Sequence, residues 1–233
     1  MTASPIQVRR LATGLSTAGA PFVAAVVLLV HPKTVTDRTR QLAIIESHTA
    51  AWTAVHVIGF FVAVWYIPML IGLVRVAGPR KKGLGLLGVT LGVVGTVAVA
   101  AINVVEVVLT KMVEVPAARG QMADLYARIT GPKLFVFPLE IALTAGLCIL
   151  AFLLWDAEAV PTWAALAIGI GSLVEFVGHP AGVQAMVMAG AVLGAAGFAR
   201  LGYHILRPGG PDLGGVAVAS PTEEALTLSR TLR

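Results

Sequence analysis

The amino-acid sequence predicts an all-α fold, a polytopic integral membrane bundle of about six transmembrane helices. Of its 233 residues, 57% are hydrophobic and only 12% are charged, and the mean hydropathy of +0.87 is too high for a soluble domain of this size. A helix that crosses a bilayer needs about 20 consecutive, mostly apolar residues. Six segments have this character: Leu11–Val30, Ala51–Val76, Gly83–Leu109, Leu134–Trp155, Pro161–Val177 and Gly182–Leu206.

The first apolar segment is predicted to be a retained helix rather than a cleaved signal peptide. Arg9 and Arg10 precede it, as basic residues precede a signal core. However, the segment is about twice as long as a signal core, and no small-x-small cleavage site follows it before His31. Residues 1–206 are therefore predicted to form one transmembrane domain.

The residues after the sixth segment, 207–233, are predicted to form a disordered cytoplasmic tail. The tail opens with Arg-Pro-Gly-Gly-Pro, and proline ends a helix because it has no backbone N–H to donate. Small and polar residues make up most of the remainder, and such a composition buries too little apolar surface to fold.

Charge and cysteine content exclude two classes of function. The net charge is +5, but the basic residues are scattered over helix ends and loops instead of forming the patch that binds nucleic acid. Cys148 is the single cysteine, which excludes an intrachain disulfide and a cysteine-based metal cluster. The lipid bilayer is the predicted partner, and nucleic acid is not.

The distribution of basic residues predicts that both chain termini are cytoplasmic, in a multi-pass protein of the plasma membrane. Short cytoplasmic loops carry an excess of Lys and Arg. With both termini inside, the cytoplasmic side receives Arg9, Arg10, Arg80, Lys81, Lys82, Arg200 and Arg207. The other side receives two longer loops, His31–Ala50 and Thr110–Lys133. Thr39–Ala54 has helical spacing, and Gln121–Thr130 is predicted to form an amphipathic turn at the interface.

Polar side chains interrupt four of the apolar segments at helical spacing. Residues three and four positions apart share a helix face, and alternating helix directions place all four groups in the outer half of the bundle. Burying charge in hydrocarbon costs several kcal/mol, so these residues are functional candidates. The groups are Trp52 with His56, Asn103 with Glu106, Glu140 with Thr144, and Ser172 with Glu175 and His179.

We interpret these residues as the lining of one water-poor chamber. A carboxylic acid in a low-dielectric environment favours its neutral form, which makes Glu140 the candidate general acid. His56 and Glu106 are candidates for the base or for orienting the substrate, and Glu175 and His179 for supporting the site. The residues predicted to contact the substrate are Trp52, Asn103, Thr144 and Ser172.

Structural interpretations of the same residues stay open. Glu106 and His179 lie near helix ends, where polar side chains can reach the lipid headgroups. His56 and Glu140 could satisfy each other inside the bundle. Trp52 fits an aromatic belt at the membrane surface. His31 and His48 are predicted loop or interface residues.

The predicted function is cofactor-independent acid–base isomerisation or cyclisation of a lipophilic, isoprenoid-like small molecule by a membrane-embedded enzyme. Such a reaction needs a proton donor, a proton acceptor and a dry pocket. A proton-coupled carrier or small-molecule-binding protein is the alternative, because chains of Glu and His relay protons in transporters. The carrier ranks lower because the inner half of the bundle has few polar groups.

Two further alternatives concern metal and protein partners. His56 and His179 could bind an iron axially from two helices, or His and Glu side chains could hold a divalent ion, although no His-x-x-x-His, Glu-x-x-His or Cys-x-x-Cys pattern supports such a site. A protein that acts through helix contacts, including a homo-oligomer, also fits the composition. The Gly88-x-x-x-Gly92 and Gly190-x-x-x-Gly194 patterns predict closely packed helices.

Two local patterns resemble known groups of proteins. His31-Pro32 after the first helix and Trp52-x-x-x-His56 at the start of the second resemble uncharacterised small polytopic membrane proteins of actinobacteria. This resemblance implies an actinobacterial plasma membrane and no particular activity. The segment Phe137-Pro138-Leu139-Glu140 is similar to the Pro-x-Glu segments of membrane-bound carotenoid cyclases, which implies cyclase chemistry on an isoprenoid.

Overall fold

The computed structural model describes residues 5–35, 37–78, 81–115, 119–130, 136–208 and 210–211. Over these ranges the chain is all-α, without a strand. The described helices are α1 (Pro5–Val30), α2 (Arg38–Ser47), α3 (Thr49–Ala77), α4 (Lys82–Met112), α5 (Arg119–Thr130), α6 (Val136–Asp156), α7 (Thr162–Ala181) and α8 (Gln184–Leu206).

Six of these helices, α1, α3, α4, α6, α7 and α8, are long and apolar enough to cross a membrane. They match the six apolar segments one for one, so the predicted multi-pass membrane fold is confirmed. Large apolar side chains cover the outside of the bundle, and Phe22, Phe61 and Leu86 are each more than 60% exposed, as lipid contact requires. The orientation of the termini stays a prediction, and most of the predicted tail lies outside the described residues.

The six spanning helices close into a ring. Each packs against two neighbours in the order α1, α3, α4, α6, α7, α8 and back to α1, and α3 also touches α6 across the middle. Because successive spanning helices run in opposite directions, α1, α4 and α7 end where α3, α6 and α8 begin. We call this end of the bundle the cap end, and the opposite end, where α1 begins and α8 ends, the terminal end.

Two short helices, α2 and α5, cover the cap end. The Asp37 side chain accepts a hydrogen bond of 2.8 Å from the backbone N–H of Arg40 and so caps the first turn of α2. The chain leaves helical geometry at His48, so the predicted helical spacing of Thr39–Ala54 is divided between α2 and α3. Below the two helices lies an apolar cluster, the cap cluster, formed by Leu42, Ile45, Trp52, Leu109, Val113, Ala123 and Tyr126.

An apolar core fills the terminal half of the ring. Its innermost side chains are at most 1% exposed and come from four helices: Leu70, Leu73, Leu150, Leu154, Ile168, Leu201 and Ile205. Two polar contacts connect the helices at the same end. Arg10 Nε donates to the backbone oxygen of Ile205 over 2.7 Å, and Lys81 forms an ion pair with Asp156 over 2.8 Å. The packed core therefore separates the middle of the bundle from its terminal end.

Glycines allow two helix pairs to pack backbone to backbone. A methyl group at Gly146 of α6 would lie 2.5 Å from the backbone nitrogen of Gly92 and 2.7 Å from the backbone oxygen of Gly88, both on α4. A methyl group at Gly171 of α7 would meet the glycine pattern of α8 in the same way. The close packing predicted from both Gly-x-x-x-Gly patterns is confirmed.

Gly146→Ala is expected to destabilise the fold, because the added methyl group overlaps the α4 backbone, which can yield only by moving away from α6. Overpacking of this kind costs about 1–3 kcal/mol. Gly194→Ala on α8 is the matched control, since a methyl group there meets no atom within 4 Å. Thermal unfolding in one detergent should give a lower midpoint for Gly146→Ala only, and equal midpoints for both variants would contradict this account of the packing.

Candidate functional site

A cavity of about 290 Å³ lies inside the ring, between the cap cluster and the apolar core. Its lining on α3 runs from Val55 to Tyr66, roughly 16 Å at about 1.5 Å per residue, so the cavity is elongated along the bundle. Apolar side chains from five helices contribute to its wall, among them Leu28, Val62, Ile102, Leu143 and Phe176. The volume is at the lower end of the range for small-molecule pockets, about 300–1,000 Å³.

Seven of the nine site residues predicted from the sequence line this cavity, and they come from α3, α4, α6 and α7. The seven are His56, Asn103, Glu140, Thr144, Ser172, Glu175 and His179. The other two, Trp52 and Glu106, lie behind the wall toward the cap end. The structure thus brings the predicted residues of four helices to one space, while their functional roles stay predictions.

His31 and His56 face each other at the cap end of the cavity. Nδ1 of His31 donates to the backbone oxygen of Pro32 over 2.6 Å, and Nδ1 of His56 donates to the backbone oxygen of Trp52 over 2.8 Å. Because a carbonyl oxygen only accepts, each Nδ1 carries a proton, and in a neutral ring Nε2 then presents a lone pair. The two Nε2 atoms are 3.4 Å apart. Burial lowers the pKa of His31, against the opposing effect of the Pro32 hydrogen bond, so its ring is neutral at pH 7.

Trp52 connects the histidine pair to the cap cluster. Its ring centroid lies 4.9 Å from those of His31 and His56, and its side chain is only 1% exposed. The interpretation of Trp52 as a membrane-surface belt residue is therefore wrong, because α2 and α5 cover this part of α3. The indole fixes the orientation of the two imidazoles without lining the cavity itself.

Glu140 and Glu175 bring two carboxyl groups to the cavity from the neighbouring helices α6 and α7. Both occupy the half of the bundle nearer the cap end, and both line the same cavity. Among the described residues, neither forms an ion pair. Glu175 also borders a smaller cavity, of about 30 Å³, that reaches α8. Two acidic groups are therefore available to a molecule bound in the cavity.

Asn103 lies against α3 because a glycine makes room for it. Its Nδ2 donates to the backbone oxygen of Val99 over 2.8 Å, and a methyl group at Gly59 would overlap its Oδ1. The side-chain amide is thus held at the cavity wall by its own helix and by α3.

Thr96 contributes a hydroxyl group that forms no hydrogen bond with any of the described residues. The residue is 2% exposed and lines the cavity. Ser172, in contrast, donates its hydroxyl proton to the backbone oxygen of Ile168 over 2.8 Å, which is the usual solution within a helix. Burying a hydroxyl group without a partner is unfavourable, so the Thr96 hydroxyl is suited to a polar group of a ligand.

Glu106 belongs to a separate polar cluster beneath the cap. Its Oε1 accepts a hydrogen bond of 3.1 Å from the Tyr126 hydroxyl on α5, and the Arg38 guanidinium on α2 lies 4.9 Å from the centre of the Tyr126 ring. Burial, together with the charge of Glu106, raises the pKa of Tyr126, so its hydroxyl keeps the proton that it donates. Glu106 therefore links α4 to the cap and has no direct contact with the cavity, either as a base or as an orienting group.

Tyr126→Phe is expected to destabilise the protein by about 1–3 kcal/mol, because it leaves the buried Glu106 carboxyl group without its hydroxyl donor. Tyr203→Phe on α8 is the control, since that side chain is 61% exposed. Hydrogen exchange of the backbone amides in α2 and α5, measured beside the unfolding temperature, should increase in Tyr126→Phe alone. Identical exchange in both variants would show that the hydroxyl does not hold the cap in place.

Three polar residues of the lining were not predicted from the sequence: His31, Tyr66 and Thr96. Thr96 precedes Asn103 by seven positions and so shares its helix face; continuing that predicted polar face by two turns would have found it. Tyr66 follows His56 by ten positions, which places it about 80° away around the helix, so the helical period did not indicate it. His31 does follow a helix end, as predicted, but its ring turns into the cavity, and no helical period could have revealed that.

No protein-family model, curated protein or solved structure matches this chain. Among the described residues, no group of three or more His, Cys, Asp and Glu side chains is placed to hold a metal ion. The imidazole of His56 faces His31, so the structure does not support the alternative in which His56 and His179 hold one iron between them. Any function must be argued from the cavity itself.

Proposed function

We propose that this protein is a membrane-embedded enzyme that isomerises a small, lipophilic, isoprenoid-like molecule by acid–base chemistry. One observation carries the proposal: two carboxyl groups, Glu140 and Glu175, share an elongated cavity whose wall is otherwise rich in apolar side chains. A lipophilic molecule enters such a site from the bilayer, and the apolar wall excludes the water that would compete for protons. The plasma membrane is the proposed location.

Glu140 is the proton donor and Glu175 the acceptor in this proposal. Two carboxyl groups in one apolar cavity seldom ionise together because like charges repel, which suits one neutral acid and one carboxylate. Glu140 protonates one carbon of a double bond, and Glu175 removes a proton from the carbon adjacent to the resulting cation. The double bond moves by one position, and the substrate gains one proton and loses one. Between turnovers Glu175 releases its proton to solvent and Glu140 takes one up from solvent, which restores both groups. Attack on the cation by a second double bond of the same molecule, before the proton leaves, gives cyclisation.

The remaining polar residues orient the substrate. Thr96 offers a hydroxyl group, and Asn103 offers an amide that is held at the wall. Both lie on α4, which packs beside α6, the helix that carries Glu140. A substrate with one polar end fits this arrangement, and the cavity volume favours a short linear isoprenoid over a sterol.

A proton-coupled carrier has less support. Alternating access requires a path from the cavity to the terminal end, and Leu70, Leu150 and Leu201 fill that half of the ring with at most 1% exposure. The smaller cavity beyond Glu175 reaches Phe198 but holds only about 30 Å³. A carrier would need to open the apolar core in every cycle, whereas an enzyme needs no such opening.

The reaction can be tested with solvent deuterium. Purified protein in lipid nanodiscs is incubated in D₂O with a panel of short linear isoprenoid olefins and alcohols, and the products are analysed by gas chromatography and mass spectrometry. A carboxyl proton exchanges with solvent, so the account predicts an isomer or ring product that carries one deuterium on carbon. Products without deuterium, or the same products from empty nanodiscs, would contradict the proposal.

A further inference from the structure

The facing imidazoles of His31 and His56 form a cluster that the proposed acid–base reaction does not use. Their Nε2 atoms are 3.4 Å apart, and each presents a lone pair to the other when the rings are neutral. Lone pairs that face each other repel unless a cation or a proton lies between them. We infer that the pair binds a transition-metal ion of the Zn²⁺ or Cu²⁺ class through the two Nε2 atoms.

The separation of the two nitrogens fits a metal ion. Zinc binds histidine nitrogen at about 2.0–2.1 Å in tetrahedral geometry, which places two ligating nitrogens roughly 3.3–3.4 Å apart. The observed Nε2–Nε2 distance of 3.4 Å agrees with this separation. The rings therefore need little movement to coordinate one ion together.

The opposite edge of each ring is also arranged as in metal sites. A metal-binding histidine usually donates its other N–H to a carbonyl or carboxylate oxygen, which fixes the tautomer and orients the ring. Here Pro32 and Trp52 supply these backbone carbonyl oxygens, 2.6 and 2.8 Å from the two Nδ1 atoms. The Trp52 indole packs 4.9 Å from both rings and limits their rotation.

The proposed site has two protein ligands and therefore open coordination positions. No third His, Cys, Asp or Glu converges on the pair within the described chain, so the remaining coordination positions are left for water or for a ligand in the cavity. Imidazole nitrogen suits Zn²⁺ and Cu²⁺ better than Mg²⁺ or Ca²⁺, which prefer oxygen. Because both Nδ1 atoms donate to backbone carbonyl oxygens, the Nε2 lone pairs of the neutral rings are the ones available to the ion.

The test measures Zn²⁺ and Co²⁺ binding to the chelator-treated protein in detergent, without substrate. We expect one ion per chain in the wild type. His31→Gln and His56→Gln should each weaken binding by at least about 10- to 100-fold. Changing a group that only hydrogen-bonds to a metal ligand typically has an effect of this size, so removing a ligand should have at least the same effect. His48→Gln is the control, because His48 is exposed on the cap and bonds Ser47. It should bind the ion as the wild type does.

A second measurement uses only the wild-type protein, so its result does not depend on whether the variants fold. In the wild type, the electron paramagnetic resonance spectrum of bound Cu²⁺ should show hyperfine coupling to two imidazole nitrogens. Absence of binding, or binding that both glutamine variants leave unchanged, would overturn the site in favour of a shared proton. Because no substrate is used, that result would leave the proposed isomerisation untouched.

Discussion

Glu140→Gln is expected to lower the turnover rate by about 10²- to 10⁴-fold, the contribution typical of a general acid or base. Glutamine keeps the size of the side chain but has no acidic proton to deliver to a carbon atom. Binding of the apolar part of the substrate should change little, so the loss should appear in kcat and leave KM close to its wild-type value. The initial rate of product formation over a range of substrate concentrations measures both constants.

The control for this experiment is Glu158→Gln. Glu158 lies in the exposed connection between α6 and α7, away from the cavity, so its replacement removes a carboxyl group without touching the site. It should turn over at the wild-type rate. Wild-type turnover in Glu140→Gln would remove the general-acid role, whatever the result for Glu158.

Ala63→Phe is expected to weaken substrate binding strongly by occupying part of the cavity. Ala63 is 3% exposed and lines the cavity from α3, so a benzyl group at this position occupies the space that the substrate needs. One additional methylene group in an apolar pocket already changes specificity by about 10- to 200-fold, and a phenyl ring adds several carbon atoms. We therefore expect kcat/KM to fall by at least that factor.

The neighbouring residue provides the control for Ala63→Phe. Val64 is 46% exposed on the outer face of α3, so Val64→Phe adds a ring of the same kind to the lipid-facing surface. It should leave kcat/KM unchanged. Thermal unfolding of both variants reports whether the fold is kept, and a folded Ala63→Phe with wild-type kcat/KM would show that the substrate binds elsewhere.

Much of the fold could be predicted from the sequence because the bilayer imposes a simple rule. A spanning helix needs about 20 apolar residues, and the six apolar segments satisfy it. The helical period was sufficient to place seven predicted residues on one cavity, since His56 and Glu140 each follow the face that their helix turns inward. Which helices pack together could not be predicted, because the glycine pattern of α4 meets Gly146, which has no patterned glycine partner on its own helix α6.

Asn103 and Glu106 were predicted to share one site, but only Asn103 lines the cavity. Three residues turn an α-helix by about 300° and advance it by about 4.5 Å. That offset is enough to carry Glu106 from the cavity wall to the cap, where Tyr126 meets it. The sequence held no sign that α5 would supply this hydroxyl, because the contact joins residues 20 positions apart across a loop.

The most direct test of the account asks whether an apolar molecule enters the cavity. A diazirine probe of short isoprenoid length is photoactivated with the protein in lipid nanodiscs, and the modified residues are identified by mass spectrometry. Outward-facing residues such as Phe61 and Ile141 are 64% and 43% exposed and should react in any case. The account predicts additional labelling of the cavity residues Val62, Leu143 and Phe176, which is lost in Ala63→Phe. Labelling confined to the outward-facing residues of the wild type would contradict it.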